Sequence, residues 1–362
     1  MAAKKRKRKA RKGLIVFLVV ILLICAGGAG AVFWYQSALT PVGQAEEAET
    51  ITIAEGESRD VLFKDLAEKK LIKSELAASV YSKLNPTTYY PGNYRLNKGM
   101  SVPEIMTYLS DEKNQDKGYA VITIPEGYWA KQIAAVLAHN FPQYTEKEFL
   151  DLWNDPNYIQ TLSQTYDFID PAKLDDERFF VKLEGYLFPD TYFMEYDMTP
   201  DQITRMFLDQ FGQVYNSLKP QIEASGMSLE EILTFASIVQ FECGNPAEMA
   251  NIAGVFANRM EKGMKLQSSV TVCYALYDDF KSAADCETNP EIDSPYNTYM
   301  HEGLPIGPIL NPGKEAIEAV LNPAKHDYLY FISDIHGDGT IHYAKTYEEH
   351  EQNVEKYNLK IE

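Results

Sequence analysis

Among the acids of this chain, Glu242 has the setting best suited to moving a proton. It lies in the stretch SLEEILTFASIVQFECG at residues 228–244. Ser228 followed three residues later by Glu231 is a capping-box signature, so the spacing predicts a helix starting at Leu229. Ile232, Phe235, Ala236, Ile238 and Val239 make its apolar stripe, and Glu242 falls near the edge of that stripe. Gln240 points further away, and Phe241 is almost opposite. A carboxylate held against apolar side chains loses hydration, which favours its protonated form, the state a general acid needs near neutral pH. A partly buried Glu bonded to a neighbouring loop would carry the same pattern, and this helix does not separate the two readings.

Two further acids sit in LEGYLFPDTY at residues 183–192. Glu184 and Asp190, with a Gly and a Pro among aromatics, suggest a rigid, partly exposed loop able to hold a sugar ring. Aromatic faces would pack on the ring while the acids take its hydroxyls; an aromatic-rich core turn is the alternative. Downstream, LQSSVTVCY at 266–274 reads as a loop running into a helix. SPYNTY at 294–299 and GLPIGPILNPG at 303–313 read as long ordered loops, stiffened by four Pro and three Gly. Gln267, Thr271, Tyr274, Tyr296, Asn297 and Asn311 on these segments are candidates for orienting a substrate, with loop bracing as the other role open to each. The chain has six His and no HExxH or paired-His spacing, so no metal site and no cofactor is expected. Cys243, Cys273 and Cys286 match no zinc pattern, and their odd number leaves at least one thiol unpaired within the chain.

The elements that must carry these residues occupy a chain of 362 residues, enough for two or three domains. Residues 1–12 are a basic tail with eight Lys or Arg and no acid. Residues 13–35 read as a transmembrane helix: Leu14 to Trp34 holds no charge, enough to span a bilayer core, and Phe33, Trp34 and Tyr35 form an aromatic anchor. The basic flank places the N-terminus in the cytoplasm and everything after Tyr35 outside. A cleavable signal peptide, ending near Ala29-Gly30-Ala31, is the alternative. Residues 36–50 are a polar linker, and from residue 36 to 362 the chain has 26 basic against 52 acidic side chains, a net of −26, which is unsuited to a nucleic-acid backbone and compatible with an exported domain.

Ile51-Thr52-Ile53-Ala54-Glu55-Gly56 recurs as Ile122-Thr123-Ile124-Pro125-Glu126-Gly127, each copy a short strand and turn leading into a helix. After the first copy, apolar spacing gives two helices and then a strand near Tyr94 to Leu96. That βααβ unit, at 51–118, resembles a LysM module, a small glycan-binding fold; a structural α+β module fits the pattern equally. Residues 119–362 form a larger mixed α+β domain carrying Glu242 on a helix. The overall class is α+β. Tyr328–Ile332 reads as a buried strand, paired with Thr340–Tyr343 across a Gly337-Asp338-Gly339 turn.

Six ordered motifs together resemble the YceG-like family of endolytic murein transglycosylases: LEGYLFPDTY at 183–192, ASIVQFE at 236–242, ANRMEKGMKLQSSVTVCYAL at 257–276, SPYNTY at 294–299, GLPIGPILNPG at 303–313 and YLYF at 328–331. The resemblance covers residues 183 to about 345. It implies cleavage of the β-1,4 bond between N-acetylmuramic acid and N-acetylglucosamine in peptidoglycan strands, with Glu242 as the catalytic acid and a 1,6-anhydro product. It also implies partnership with wall-synthesis enzymes and the division or elongation machinery. Two departures stand out. The family helix usually carries two acids two residues apart, and the first is Gln240 here; Ser269-Val270 replaces a usual Asp-Pro. A hydrolytic muramidase using Glu184 or Asp190, and an inactive wall-binding scaffold, are the rival readings.

Overall fold

The computed structural model describes residues 22, 27–45, 48–334 and 339–359. The basic tail and most of the 13–35 span lie outside the described residues, as do residues 335–338 of the expected turn; residues 27–39 are helical (α1). No helix among the described residues is long and apolar enough to cross a membrane.

The chain divides into two compact units between Gly118 and Tyr119. In the first, β1 (Glu49–Ile53), α2 (Arg59–Glu68), α3 (Glu75–Leu84), β2 (Gly92–Leu96) and α4 (Val102–Leu109) follow in order. β1 and β2 pair antiparallel with Ile51 opposite Tyr94. Alternation along both strands sends Ile51, Ile53, Tyr94 and Leu96 to one face, where they meet Leu62, Phe63 and Leu66 of α2 and Ile105 of α4. Ser58, Ser74 and Ser101 cap the three helices by accepting backbone N–H groups.

The second unit opens with β3 (Tyr119–Thr123), which pairs antiparallel with β4 (Thr191–Glu195). Between them lie α5 (Ala130–Asn140), α6 (Glu146–Asn154), α7 (Pro156–Leu162) and the single turn α8 (Pro171–Leu174). The two copies of the repeated turn place their glycines in the left-handed region, Gly56 at φ 76° and Gly127 at φ 83°, which explains a Gly in both. After β4 comes α9 (Pro200–Ser225), which continues through Pro220. Burial of Ile203, Phe207, Phe211, Val214, Leu218 and Ile222, at helical spacing on one side, offsets the hydrogen bond that Pro cannot donate.

α10 (Leu229–Glu242) and α11 (Pro246–Glu261) form the centre of the unit, packed against α12 (Ser269–Leu276) and α14 (Lys314–Leu321). Between the last two lies α13 (Ala283–Thr288). The Ser228–Glu231 capping box is present. The amphipathic reading of α10 needs correction: every residue from Ile232 to Gln240 is buried, because helices and loops cover it on all sides. The chain ends with the hairpin β5 (Tyr330–Ser333) and β6 (Ile341–Ala344), followed by α15 (Tyr347–Lys356). β5 is half-buried rather than buried, because all four of its residues line a cavity.

Candidate active site

Glu242 is the last residue of α10. The side chain opens into a cavity of about 660 Å³, a volume suited to sugar rings. α11 supplies Arg259 to its wall, the loop before α12 supplies Gln267 and Ser268, and α13 supplies Glu287. The far wall is aromatic: Tyr330 of β5 stacks on His350 of α15, and Tyr347 meets Tyr330 edge-on. Loss of hydration pushes the Glu242 carboxyl up to about 7, and the nearby Glu287 charge adds to that rise. Ser268 works against them, its Oγ donating to Glu242 Oε1 at 2.5 Å.

Ser268 is aimed by its surroundings. Its N–H donates to Thr298 Oγ1, and Thr271 Oγ1 donates to its carbonyl. One residue earlier, Gln267 takes a left-handed backbone at φ 50°, a costly conformation for a residue with a side chain. Two bonds hold it there. Its N–H donates to the Thr298 carbonyl, and Arg259 Nη2 donates to Gln267 Oε1 at 2.6 Å. Arg259 itself is buried, with Nε on the Lys265 carbonyl and Nη1 on the Leu329 carbonyl. Replacing Ser268 by Ala removes a donor that favours the ionised carboxyl. The alkaline limb of the pH–rate profile should therefore move to higher pH, while the maximal rate falls modestly from lost aim. A limb that moves to lower pH in S268A would contradict this account.

Of the residues selected from the sequence, the structure brings Glu242 and Gln267 to this cavity. It does not bring Glu184 there. Glu184 is 2% exposed, and its oxygens accept from Ala130 N–H, Tyr274 Oη and Asn311 Nδ2. Asp190 is exposed and accepts from Gln210 Nε2 and Thr191 N–H. Thr271 is buried behind Ser268 and acts through it. Tyr274 joins Glu184, and Tyr296 stacks on Phe180 inside the same aromatic cluster. Asn297 is fully buried, donating to the Pro290 and Ile292 carbonyls and accepting from Tyr299 N–H, so it fixes the loop that brings Tyr299 to the cavity. Asn311 satisfies both ends of its amide: Gly185 and Leu187 N–H donate to Oδ1, while Nδ2 donates to the Tyr128 carbonyl and Glu184. Gly185, at φ 90°, also sits where any Cβ would collide with Pro308.

Sequence reasoning missed Ser268, Arg259, Glu287 and the C-terminal aromatic wall. Arg259 carried one usable signal, an Arg inside the apolar face of a helix. Gln240 is buried rather than turned away. Its Oε1 accepts from Gly313 N–H, and its amide hydrogen-bonds the exposed Glu126, whose carboxyl is pushed up by partial loss of hydration and by the neighbouring Glu315. An amide can accept from one partner and donate to the other, which a second carboxylate at that position could not do.

The α+β unit thus sets a glutamate with a raised pKa at an aromatic-walled cavity whose volume suits sugar rings. A family model described as the YceG-like family matches residues 51–356. The chain belongs to that family. It is 34% identical over 340 residues to the protein named endolytic murein transglycosylase from Bacillus subtilis (strain 168), covering 91% of this chain and 90% of that one. It is also 32% identical over 350 residues to the protein of the same name from Streptococcus pneumoniae serotype 2 (strain D39), where the match spans 92% of this chain and 63% of the relative. The crystal structure of a YceG-like protein from Listeria monocytogenes superimposes with a TM-score of 0.61 at 32% identity, over 84% of this chain and 98% of that one.

Proposed function

We propose that the protein is a lytic transglycosylase that cuts peptidoglycan strands internally, tethered to the cell membrane by its N-terminal segment. The observation that carries this reading is the Glu242 carboxyl, held in its acid form to about pH 7 at a cavity of sugar size. Protonated Glu242 gives its proton to the glycosidic oxygen between N-acetylmuramic acid and N-acetylglucosamine, and the C1–O bond breaks. The muramyl 6-hydroxyl closes onto C1, and its proton passes to the Glu242 carboxylate, which restores the acid. No water is consumed, and the new end is a 1,6-anhydro sugar. A group on the substrate acts as nucleophile, so no second carboxylate has to activate water or attack.

Tethering is supported by the charge-free run at 14–34 behind a basic tail. The Cys273–Cys286 disulfide fits an oxidising space outside the cytoplasm. The βααβ order of the first unit supports a LysM-like module, and a membrane tether suits cutting of nascent strands near the synthesis and division or elongation machinery.

A hydrolytic muramidase is the second reading, favoured by one observation: Glu287 lines the same cavity as Glu242. Mass spectrometry of wall digested by the purified protein separates the two. Anhydro muramyl ends are expected; fragments each one water heavier, with reducing ends, would overturn the transglycosylase assignment.

A further inference from the structure

We propose that Glu287 is a positioning residue of this site, whose negative charge, held at the cavity rim by the Cys273–Cys286 bridge, acts on Glu242 and not on the sugar. The inference rests on Glu242 being the general acid. Among the described residues lining the cavity, the carboxyl and guanidinium groups are those of Glu242, Glu287 and Arg259. His350 faces the same space from α15, but burial and the Arg259 charge hold it below its ordinary value, in the neutral form. Tyr299, on the loop side, is pushed up by burial and stays a neutral phenol. Arg259 spends three of its N–H groups on uncharged acceptors, and Glu287 supplies the charge that acts on Glu242.

α13 is only six residues long, too short to hold a position by its own hydrogen bonds. Its anchor is Cys286, 2% exposed and bonded to Cys273 on α12. Ser268 immediately precedes that same helix. One rigid element thus carries both groups that act on Glu242: the Ser268 hydroxyl, which favours the ionised form, and across the disulfide the Glu287 carboxylate, which opposes it. Glu287 is exposed and keeps its hydration, unlike the partly buried Glu242. A neighbouring like charge holds the proton on Glu242, and the acid stays competent to higher pH.

The test is the pH–rate profile of the full-length protein on purified peptidoglycan, for wild type, E287Q, E287D and E242Q, with and without a thiol reductant. E287Q should shift the alkaline limb to lower pH and lower the rate at about pH 8 by about two- to fivefold, losing less below the limb and keeping the same product ends. E287D should retain most of the wild-type limb. Reduction should shift the wild-type limb as E287Q does, and add nothing in E287Q. An unmoved limb in E287Q overturns the proposal, and so does loss of turnover at every pH, which is the mark of a nucleophile. A reductant effect of equal size in E287Q removes the bridge from the account. If E242Q itself stays active, the general-acid reading fails, and this inference falls with it; an inactive E242Q beside an unshifted E287Q sinks this inference only.

Discussion

Glu242→Gln should lower fragment release from peptidoglycan by about 10²–10⁴-fold, the usual contribution of a positioned general acid. The substitution removes little else. Gln has the same length, and its carbonyl oxygen can still accept from Ser268 Oγ, which lies 2.5 Å from Glu242 Oε1. Binding to wall should therefore persist while cutting stops, which a sedimentation assay beside the release assay would show. Equal fragments from E242Q and wild type would end the catalytic assignment. The site's pH dependence follows from the same group. Activity should decline as pH rises through about 7, where the carboxyl loses its proton. Stability moves with it. The folded protein holds this proton to about pH 7 while the unfolded chain releases it near the ordinary carboxyl value of 4.5. Between those values the folded state binds more protons, so stability falls as pH rises across that window. E242Q has no such proton to lose, and should resist heat better than wild type above the window.

The elements around this acid were legible where one local rule decided them. Ser228 with Glu231, Thr145 with Glu148, and Asn245 before Pro246 each announce a helix start from a few adjacent residues, and each start is observed. Glu242 was singled out by an acid-beside-a-stripe pattern that α10, buried from Ile232 to Gln240, does not have; its place at the end of the helix is what brings it to the cavity. The cavity itself was not legible, because Arg259, Ser268, Glu287, Tyr330 and His350 reach it from five separate segments. Nothing in local spacing says that those segments converge. Glu184 shows the converse. An acid among aromatics has one appearance whether it faces a sugar or lies sealed among three donors from residues 130, 274 and 311. Burial of an ionisable group is decided by long-range pairing, and sequence periodicity does not report it.

Removing the sealed carboxylate should have the largest effect on stability. Glu184→Ala leaves Ala130 N–H, Tyr274 Oη and one Asn311 N–H without acceptors in a site that water does not reach. Each buried donor so stranded costs about 1–3 kcal/mol, so a total near 3–5 kcal/mol is expected, or roughly a 10 °C fall in Tm. Glu184→Gln should cost far less. Its oxygen can keep the Ala130 and Asn311 donors at Oε1, at 2.8 and 2.7 Å, while the new amide donates to Tyr274, whose hydroxyl can also accept. The comparison isolates hydrogen bonding from charge, because burial already pushes the Glu184 carboxyl up to about 8, into its neutral form near pH 7. The loss in E184A should also reach the site. Tyr274 ties α12 to Glu184, and α12 begins beside Ser268, so a loosened Tyr274 misaims the hydroxyl that orients Glu242. Thermal unfolding of the two variants beside wild type decides the matter: equal midpoints for E184A and wild type would mean that the three donors find other partners, and that Glu184 does not hold this side of the site together.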